Sequence, residues 1–173
     1  MKNYFVVGTS GSGKSTAAKE IAKLLSLKHV EIDDLMWLPN WTKRDPSELQ
    51  SLLQEELSKG SVVIDGNYAS KGISPSPGDV LVFLDYPRWL VILRLTRRSL
   101  ARVIFRKELW SGNSEEFRFL ISPDPELNPI LFAYLTHSER HSTYTELLQA
   151  STHTENYIIK NPKQLRKLLG ALQ

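Results

Sequence analysis

Short apolar runs alternate along the chain with segments in which apolar residues recur every three or four positions. The runs occupy residues 4–7, 62–64, 80–84 and 157–159, and the Val-Glu-Ile segment at residues 30–32, which ends in Asp33-Asp34, is interpreted as a further short strand. Continuous apolar runs of this length are typical of strands in a sheet that is covered on both faces. The segments between them have the spacing of amphipathic helices. This alternation predicts an α/β fold of three layers, with a five-stranded parallel sheet between two layers of helices.

Start and stop signals delimit the predicted helices. Pro46 suits the first turn of a helix, Asp45 precedes it as a cap, and Gly60 ends the apolar periodicity. The two longest helices are separated by an irregular segment, and we expect a small lid over residues 108–126. The predicted helices cover residues 15–25, 46–59, 87–107, 127–148 and 162–170.

Composition limits the classes of protein to which this chain can belong. With 173 residues, 41% of them hydrophobic, we expect one domain over residues 1–173 with a buried core. The chain contains no cysteine, and no apolar run approaches the about 20 residues of a membrane span. A net charge of +3 suits anionic small molecules and is small for a dedicated nucleic-acid binder. We therefore expect a cytoplasmic monomer or homodimer without a membrane partner, and a nucleic-acid partner is not favoured.

The turn after the first predicted strand carries the most specific motif. Its sequence, GTSGSGKS, matches the G-x-x-x-x-G-K-[ST] pattern of the P-loop (Walker A), with a strand before it and a helix after it. Glycines let successive N–H groups turn toward an anion, and the N-terminus of the following helix adds a positive dipole. Lys14 is then placed to reach the β- and γ-phosphates, Ser15 to ligate Mg²⁺ and Thr16 to contact the α-phosphate. The predicted ATP-binding residues are Gly8, Thr9, Ser10, Gly11, Ser12, Gly13, Lys14, Ser15 and Thr16.

Two aspartates follow other predicted strands. Asp65 can hold Mg²⁺ through water opposite Ser15, although the Asp65-Gly66 pair is alternatively only a turn. Asp33 can position an attacking hydroxyl or accept its proton; a helix cap is the alternative, and Asp34 competes for either role. For both sites we favour the functional interpretation, because ligands bind beyond the carboxyl ends of the strands in such sheets.

Arginines recur at intervals of four on the long helix after the fourth strand, at positions 94, 98, 102 and 106. Such a row lies on one face, where arginines clamp phosphates and neutralise their charge. A solvated charged face and pairing with acidic neighbours are the alternatives. We expect Arg94 and Arg98 to act on phosphates, and Arg102 and Arg106 to be solvated. The predicted catalytic residues are Lys14, Asp33, Arg94 and Arg98.

Several other side chains have structural explanations at least as good as functional ones. Trp37 and Trp41 either form an aromatic wall beside a flat substrate ring or pack in the core. His137 and His141 are interpreted as surface or lid histidines, because no third nearby ligand supports a metal site. Asp85, which ends the fourth strand, is interpreted as a helix cap.

Four further segments accompany the P-loop: IDDLMW at residues 32–37, IDGNY at 64–68, FLDYPRW at 83–89 and RKELWSGN at 106–113. Their order resembles the adenylate kinase superfamily, and most closely its bacterial members known as DNA topology modulation proteins. The resemblance implies a P-loop kinase-like fold with a small lid, an ATP site and a small phosphoryl acceptor. It further implies that the acceptor contacts Asp33, Trp37, Tyr68 and Arg88.

Two positions depart from the pattern of those proteins. Ser114 stands where the resemblance leads us to expect an arginine. Residues 71–78 lack the arginine that we expect soon after the Gly-Asn-Tyr sequence. Either loss would weaken the binding of a substrate phosphate.

The sequence therefore predicts an ATP-dependent kinase that uses Mg²⁺ and phosphorylates a nucleotide, nucleoside or other small molecule. The alternative is a nucleotide-dependent DNA-binding or topology-modulating protein without a small-molecule acceptor, for which the arginine row is the only support in the sequence. A GTPase is excluded because the chain has no Asn-Lys-x-Asp element for guanine.

Overall fold

The structure, a computed structural model, describes residues 2–67, 75–150 and 154–172. The strands in these ranges are β1 (Tyr4–Gly8), β2 (Lys28–Glu31), β3 (Trp37–Leu38), β4 (Thr42–Lys43), β5 (Val62–Asp65), β6 (Val80–Leu84) and β7 (Glu155–Ile159). The helices are α1 (Lys14–Leu25), α2 (Ile32–Met36), α3 (Pro46–Ser58), α4 (Arg88–Ile104), α5 (Phe117–Leu120), α6 (Pro129–Ala150) and α7 (Pro162–Ala171). Short 3₁₀ turns lie at Pro39–Trp41 and Trp110–Gly112.

Five strands form one parallel sheet in the order β2-β5-β1-β6-β7. β1 is central, and its Val6 pairs with Asp65 of β5 on one side and Val82 of β6 on the other. β3 and β4 form a separate antiparallel ribbon. The predicted five-stranded parallel sheet is thus confirmed, and the loop after β1 lies at the middle of the sheet's carboxyl edge.

Helices cover both faces of this sheet. α1 and α7 pack on one face, where Ile21 meets Val6, and α3 and α6 pack on the other, where Leu53 meets Val7. Successive residues of the central strand therefore enter two different cores, which is why the strand is apolar at every position. Among the described residues, no helix combines the length and apolarity needed to cross a bilayer.

Two predicted boundaries are wrong. The sequence predicts a strand over residues 30–32, but β2 ends at Glu31 and Ile32 begins α2. β2 is an edge strand with an exposed Lys28. Its bounds follow from its pairing with β5 and not from a run of apolar residues. The helix predicted to reach residue 107 ends at Ile104, because Arg106 adopts the left-handed region with a φ of 45°.

Candidate functional site

The loop between β1 and α1 has the backbone conformation that its glycines permit. Gly11 and Gly13 have φ values of 88° and 92°, in the left-handed region, and Gly13 is the N-cap of α1. A side chain at Gly11 would lie 2.7 Å from the carbonyl oxygen of Val91 and 2.8 Å from Cβ of Leu95. The loop therefore needs glycine at position 11 both for its conformation and for its close packing against α4.

The polar side chains of this loop and of the first turn of α1 differ in burial. Lys14 and Ser12 are buried, Ser15 is half-buried and Thr16 is exposed. Among the described residues, the hydroxyl of Ser12 has no hydrogen-bond partner, and no side chain caps the N-terminus of α1. A buried ammonium and unpaired donors at a helix N-terminus form an arrangement that suits a phosphate.

Asp65 lies at the end of β5, beside the P-loop strand, with 1% of its surface exposed. His29 Nε2 donates to Asp65 Oδ1 at 3.0 Å, whereas Oδ2 has no hydrogen-bond partner among the described residues. Gly66 does form a turn, with a φ of 129° and its N–H donating to the carbonyl oxygen of Val6. The turn alone does not explain a buried carboxylate with a free oxygen, because buried polar atoms are normally paired. The sequence carried no signal for His29, which the β2–β5 pairing brings to Asp65.

Glu31 lies beside Asp65 across the β2–β5 pair. Burial raises the pKa of Glu31, and the negative charge of Asp65 raises it further, while Lys19 at 3.9 Å lowers it. The carboxyl edge of β2 and β5 thus concentrates negative charge, which suits a cation bound nearby.

We expect Glu31→Gln to stabilise the fold at neutral pH, because it removes a charge that folding desolvates beside another carboxylate. The pKa of Glu31 is higher in the folded state than in the unfolded state. Its contribution to stability is therefore favourable below the unfolded pKa and is lost as the pH rises through the folded pKa. Urea unfolding at a series of pH values from acidic to neutral should show that the variant has a higher free energy of unfolding than wild type, and the difference should grow with pH. Glu20→Gln, at an exposed position of α1, is the control. A variant less stable than wild type at neutral pH would mean that the ion pair with Lys19 dominates.

Asp33 lies in the first turn of α2, half-buried, and its charge acts on cations of two other helices. Desolvation lowers the pKa of Arg98, as does the charge of Arg102, while Glu115, Asp33 and Glu31 raise it. Desolvation also lowers the pKa of Arg140 on α6, and the charge of Asp33 again raises it. The candidate acceptor carboxylate is thus within electrostatic range of a guanidinium group from α4 and of one from α6.

Arg140 is the site residue that the sequence analysis missed. With the amide of Asn67 oriented to satisfy both of its ends, Oδ1 accepts from Arg140 Nη1 and Nη2 at 3.1 and 2.9 Å, and Nδ2 donates to Tyr144 Oη at 2.6 Å. The guanidinium also lies 5.2 Å from the ring centroid of Phe132. Burial raises the pKa of Tyr144 to about 12. Within the described ranges Arg140 forms no ion pair with a carboxylate, although the charges of Asp33 and Glu139 raise its pKa.

The arginine row of α4 does not form a solvated stripe. Arg94 Nη1 donates to the carbonyl oxygen of Ser12 at 3.3 Å, and its guanidinium stacks 5.0 Å from the ring centroid of Tyr86. Arg98 still reaches solvent. Arg102 forms an ion pair with Glu115 at 2.6 Å and is mostly buried, so the expectation that it is solvated is wrong. Arg106 does not belong to the row, because it lies beyond the end of α4. It is exposed, as expected.

The remaining candidate residues lie either just after β6 or on α6, and their side chains join these two segments. Asp85 is not a helix cap: its Oδ1 accepts from His141 Nδ1 at 2.8 Å, and no side chain caps α4. His137 Nε2 donates to the carbonyl oxygen of Tyr86 at 3.1 Å. Arg88 donates to Ser138 Oγ on α6. The described residues contain no cluster of three or more His, Asp or Glu that could hold a metal ion.

Trp37 and Trp41 pack against each other, with ring centroids 5.3 Å apart, and not in either core. The ring of Trp41 also packs against that of Trp110 in the predicted lid, with ring centroids 6.4 Å apart. Asn113, which is buried, accepts from the backbone N–H of Trp41 at 2.9 Å and donates to the carbonyl oxygen of Leu38 at 2.9 Å. The predicted lid is thus fastened to the β3–β4 ribbon. Tyr68 lies outside the described residues.

Comparison with known sequences identifies two relatives, and no family model matches the chain. The uncharacterized protein YqaC of Bacillus subtilis (strain 168) is 31% identical over 117 residues, which are 66% of this chain and 65% of that protein. The shikimate kinase of Sulfurihydrogenibium sp. (strain YO3AOP1) is 53% identical over 36 residues, 21% of this chain and 22% of that enzyme. The matched parts thus span less than two thirds of the length of either relative.

Solved structures match the chain over nearly its full length. Shikimate kinase from Acinetobacter baumannii superposes with a TM-score of 0.56 at 18% identity, covering 99% of this chain and 90% of that one. A sugar kinase from Janibacter sp. superposes with a TM-score of 0.53 at 16% identity, covering 98% of this chain and 93% of that one. A gluconokinase from Sinorhizobium meliloti 1021 superposes with a TM-score of 0.52 at 18% identity, covering 99% of this chain and 91% of that one. The chain therefore has the adenylate kinase-like P-loop fold, three layers around a five-stranded parallel sheet.

Proposed function

We propose that this protein is an ATP-dependent kinase that transfers a phosphoryl group to a hydroxyl of a small molecule. The observation that carries the proposal is the arrangement at the carboxyl edge of the sheet. There a glycine-rich loop with a buried lysine opens α1, and the half-buried Asp33, at the start of α2, lies within electrostatic range of the guanidinium groups of Arg98 and Arg140. The solved structures of the same fold are named as shikimate, gluconate and sugar kinases, which supports a small-molecule acceptor.

The residues present fit a magnesium–nucleotide complex. The Oδ2 atom of Asp65 is buried without a hydrogen-bond partner among the described residues, and a metal-bound water is a partner that would satisfy it. Ser15 and, through water, Asp65 would hold Mg²⁺, which when bound neutralises charge on the β- and γ-phosphates. Gly8 to Thr16 would hold the phosphates of ATP.

Each remaining residue then has a role that its position supports. Lys14 at the start of α1 and Arg94 of α4, which donates to the carbonyl oxygen of Ser12, neutralise charge that develops during transfer. Arg98 adds a second guanidinium group from α4. Asp33 accepts the hydroxyl proton of the acceptor or holds that hydroxyl in line with the phosphate. The contacts between Asn113 and the β3–β4 ribbon close the site toward water, which would otherwise act as the acceptor.

The test is ADP release from ATP and Mg²⁺ with a panel of nucleosides, nucleoside monophosphates, sugars and hydroxy acids. We expect one class of acceptor to stimulate ADP release and to appear as the phosphorylated product by mass spectrometry. Asp33→Asn should lower acceptor-dependent turnover by about 10²–10⁴-fold and leave ATP binding unchanged. Asp34→Asn, on the exposed neighbouring position, is the matched control. If the Asp34 variant is the inactive one, the roles of the two carboxylates are reversed.

The position of Arg140 further supports an acceptor that carries an anionic group beside its reacting hydroxyl. A partly desolvated guanidinium without a carboxylate partner among the described residues is the group that such an anion would pair with. Arg140→Met should then raise the KM for the acceptor by about 10–100-fold, the loss expected for a charged hydrogen bond, with a smaller effect on the KM for ATP. Arg97→Met, which removes an exposed charge from α4, should leave both constants unchanged. An unaltered acceptor KM in the Arg140 variant would contradict an anionic acceptor.

The DNA-binding alternative gains no specific support. Its basis in the sequence was the arginine row, and two of those four side chains contact the phosphate loop and the predicted lid. Acceptor specificity, a cytoplasmic location and the relationship to DNA topology modulation proteins remain predictions.

A further inference from the structure

A row of apolar side chains runs along the outer face of α4. Trp89, Leu93, Leu100 and Ile104 expose 68%, 50%, 39% and 70% of their surface. Phe105, directly after the helix, extends the row and is 79% exposed. Apart from Thr96 and Arg97 near its middle, the row is therefore an apolar surface that no described part of the chain covers.

The row lies on the side of α4 that faces away from the core. At about 100° per residue its four helical members fall within an arc of about 60°, on the side opposite the buried Val91 and Leu95. The helix is thus apolar on two sides, which is the pattern of a helix with a further partner. Such a narrow stripe, about 22 Å long, matches the seam between two helices, whereas a helix lying on lipid presents a broad apolar face.

The spacing of the row is symmetric in the sequence. Counted from the point between Thr96 and Arg97, residues 93 and 100 are equally distant, and so are residues 89 and 104. In an antiparallel pair of α4 helices with a two-fold axis at this point, Leu93 of each chain faces Leu100 of the other, and Trp89 faces Ile104. Both helices then use the same surface, which is the property of a closed two-fold dimer.

We propose that the chain forms a homodimer through this face of α4. With about 150–250 Å² for a whole aromatic side chain, the five exposed residues present on the order of 600 Å² of apolar surface. A standard interface buries about 800 Å² on each partner, so flanking residues such as Arg97 need to add only the remainder. The dimer goes beyond the proposed function and does not depend on it.

Sedimentation equilibrium tests the oligomeric state. Wild type should have twice the 19.7 kDa mass of the chain. Leu93→Glu should sediment as a monomer and keep the circular dichroism spectrum of the folded chain, because position 93 is exposed in one chain. Ile158→Glu places the same charge at an exposed apolar position of β7 and should remain dimeric. A monomeric wild type overturns the proposal, including one that binds lipid vesicles or another protein through α4.

Cross-linking then identifies the interface. The chain has no cysteine, so a single introduced cysteine is the only thiol. Thr96→Cys, next to the axis, should yield a covalent dimer with a short bis-maleimide, whereas Lys163→Cys, exposed on α7, should not. A dimer that survives Leu93→Glu and does not cross-link through position 96 would use another surface, and that result also overturns the proposal.

Discussion

Lys14→Ala is expected to lower phosphoryl transfer by about 10³-fold or more and to leave the fold intact. The ammonium group is buried at the first residue of α1, where it faces the phosphate loop. No carboxylate of the described residues pairs with it, so its removal leaves no buried charge without a partner and costs the free protein little stability. The measurements are the rate of ADP formation with the acceptor identified in the panel, and the melting temperature by circular dichroism.

Lys23→Ala is the matched control for that variant. It removes the same charge from the last turn of the same helix, where the side chain is exposed. Its activity and melting temperature should equal those of wild type. ADP formation that continues unchanged in the Lys14 variant would show that the phosphate site lies elsewhere and would contradict the proposed function.

Gly11→Ala is expected to have the largest effect on the loop itself. The added Cβ would meet the carbonyl oxygen of Val91 at 2.7 Å and Cβ of Leu95 at 2.8 Å, and position 11 has a φ of 88°. The left-handed conformation costs a non-glycine residue about 1–2 kcal/mol, and overpacking typically adds about 1–3 kcal/mol. We expect a loss of about 2–5 kcal/mol in the free energy of unfolding by urea, with a parallel loss of ATP affinity by calorimetry.

Gly78→Ala separates these two contributions. Gly78 has a φ of 92°, close to that of Gly11, but an added Cβ would have no atom within 4 Å. It should therefore show only the conformational cost of about 1–2 kcal/mol and normal ATP affinity. Equal losses of stability in the two variants would mean that α4 moves aside and that the packing of the loop against it is loose.

Much of the fold could be predicted from local patterns. Four of the five parallel strands follow from apolar runs, since a strand in a doubly covered sheet is apolar whatever its neighbours are. The edge strand β2 was misplaced because its polar Lys28 and His29 belong to no such run. The β3–β4 ribbon was not predicted, because strands of two residues have no periodicity to detect.

The candidate site likewise contains one part that local sequence predicts and another that depends on tertiary packing. The P-loop could be predicted because nine consecutive residues supply the glycines, the lysine and the hydroxyls, and a short window of sequence contains them all. Arg140 could not, because it contacts Asn67 and comes within electrostatic range of Asp33 only after α6 has packed on the sheet. The ion pair of Arg102 with Glu115 also escaped prediction, since a charged row on a helix has the same pattern whether it faces water or another segment.

The sequence by itself determined the alternation of the sheet strands with the five long helices, and the glycine-rich loop after β1, because hydrophobic periodicity and glycine conformations act over a few neighbouring residues. Only the tertiary structure decided which charges surround Asp33, which partner His29 takes and what fastens the predicted lid to the β3–β4 ribbon. Those contacts join residues from about 36 to more than 70 positions apart, as for His29 with Asp65 and Trp41 with Asn113. Their geometry depends on the strand order β2-β5-β1-β6-β7 and on how the helices pack over it, and no short segment of sequence contains that information.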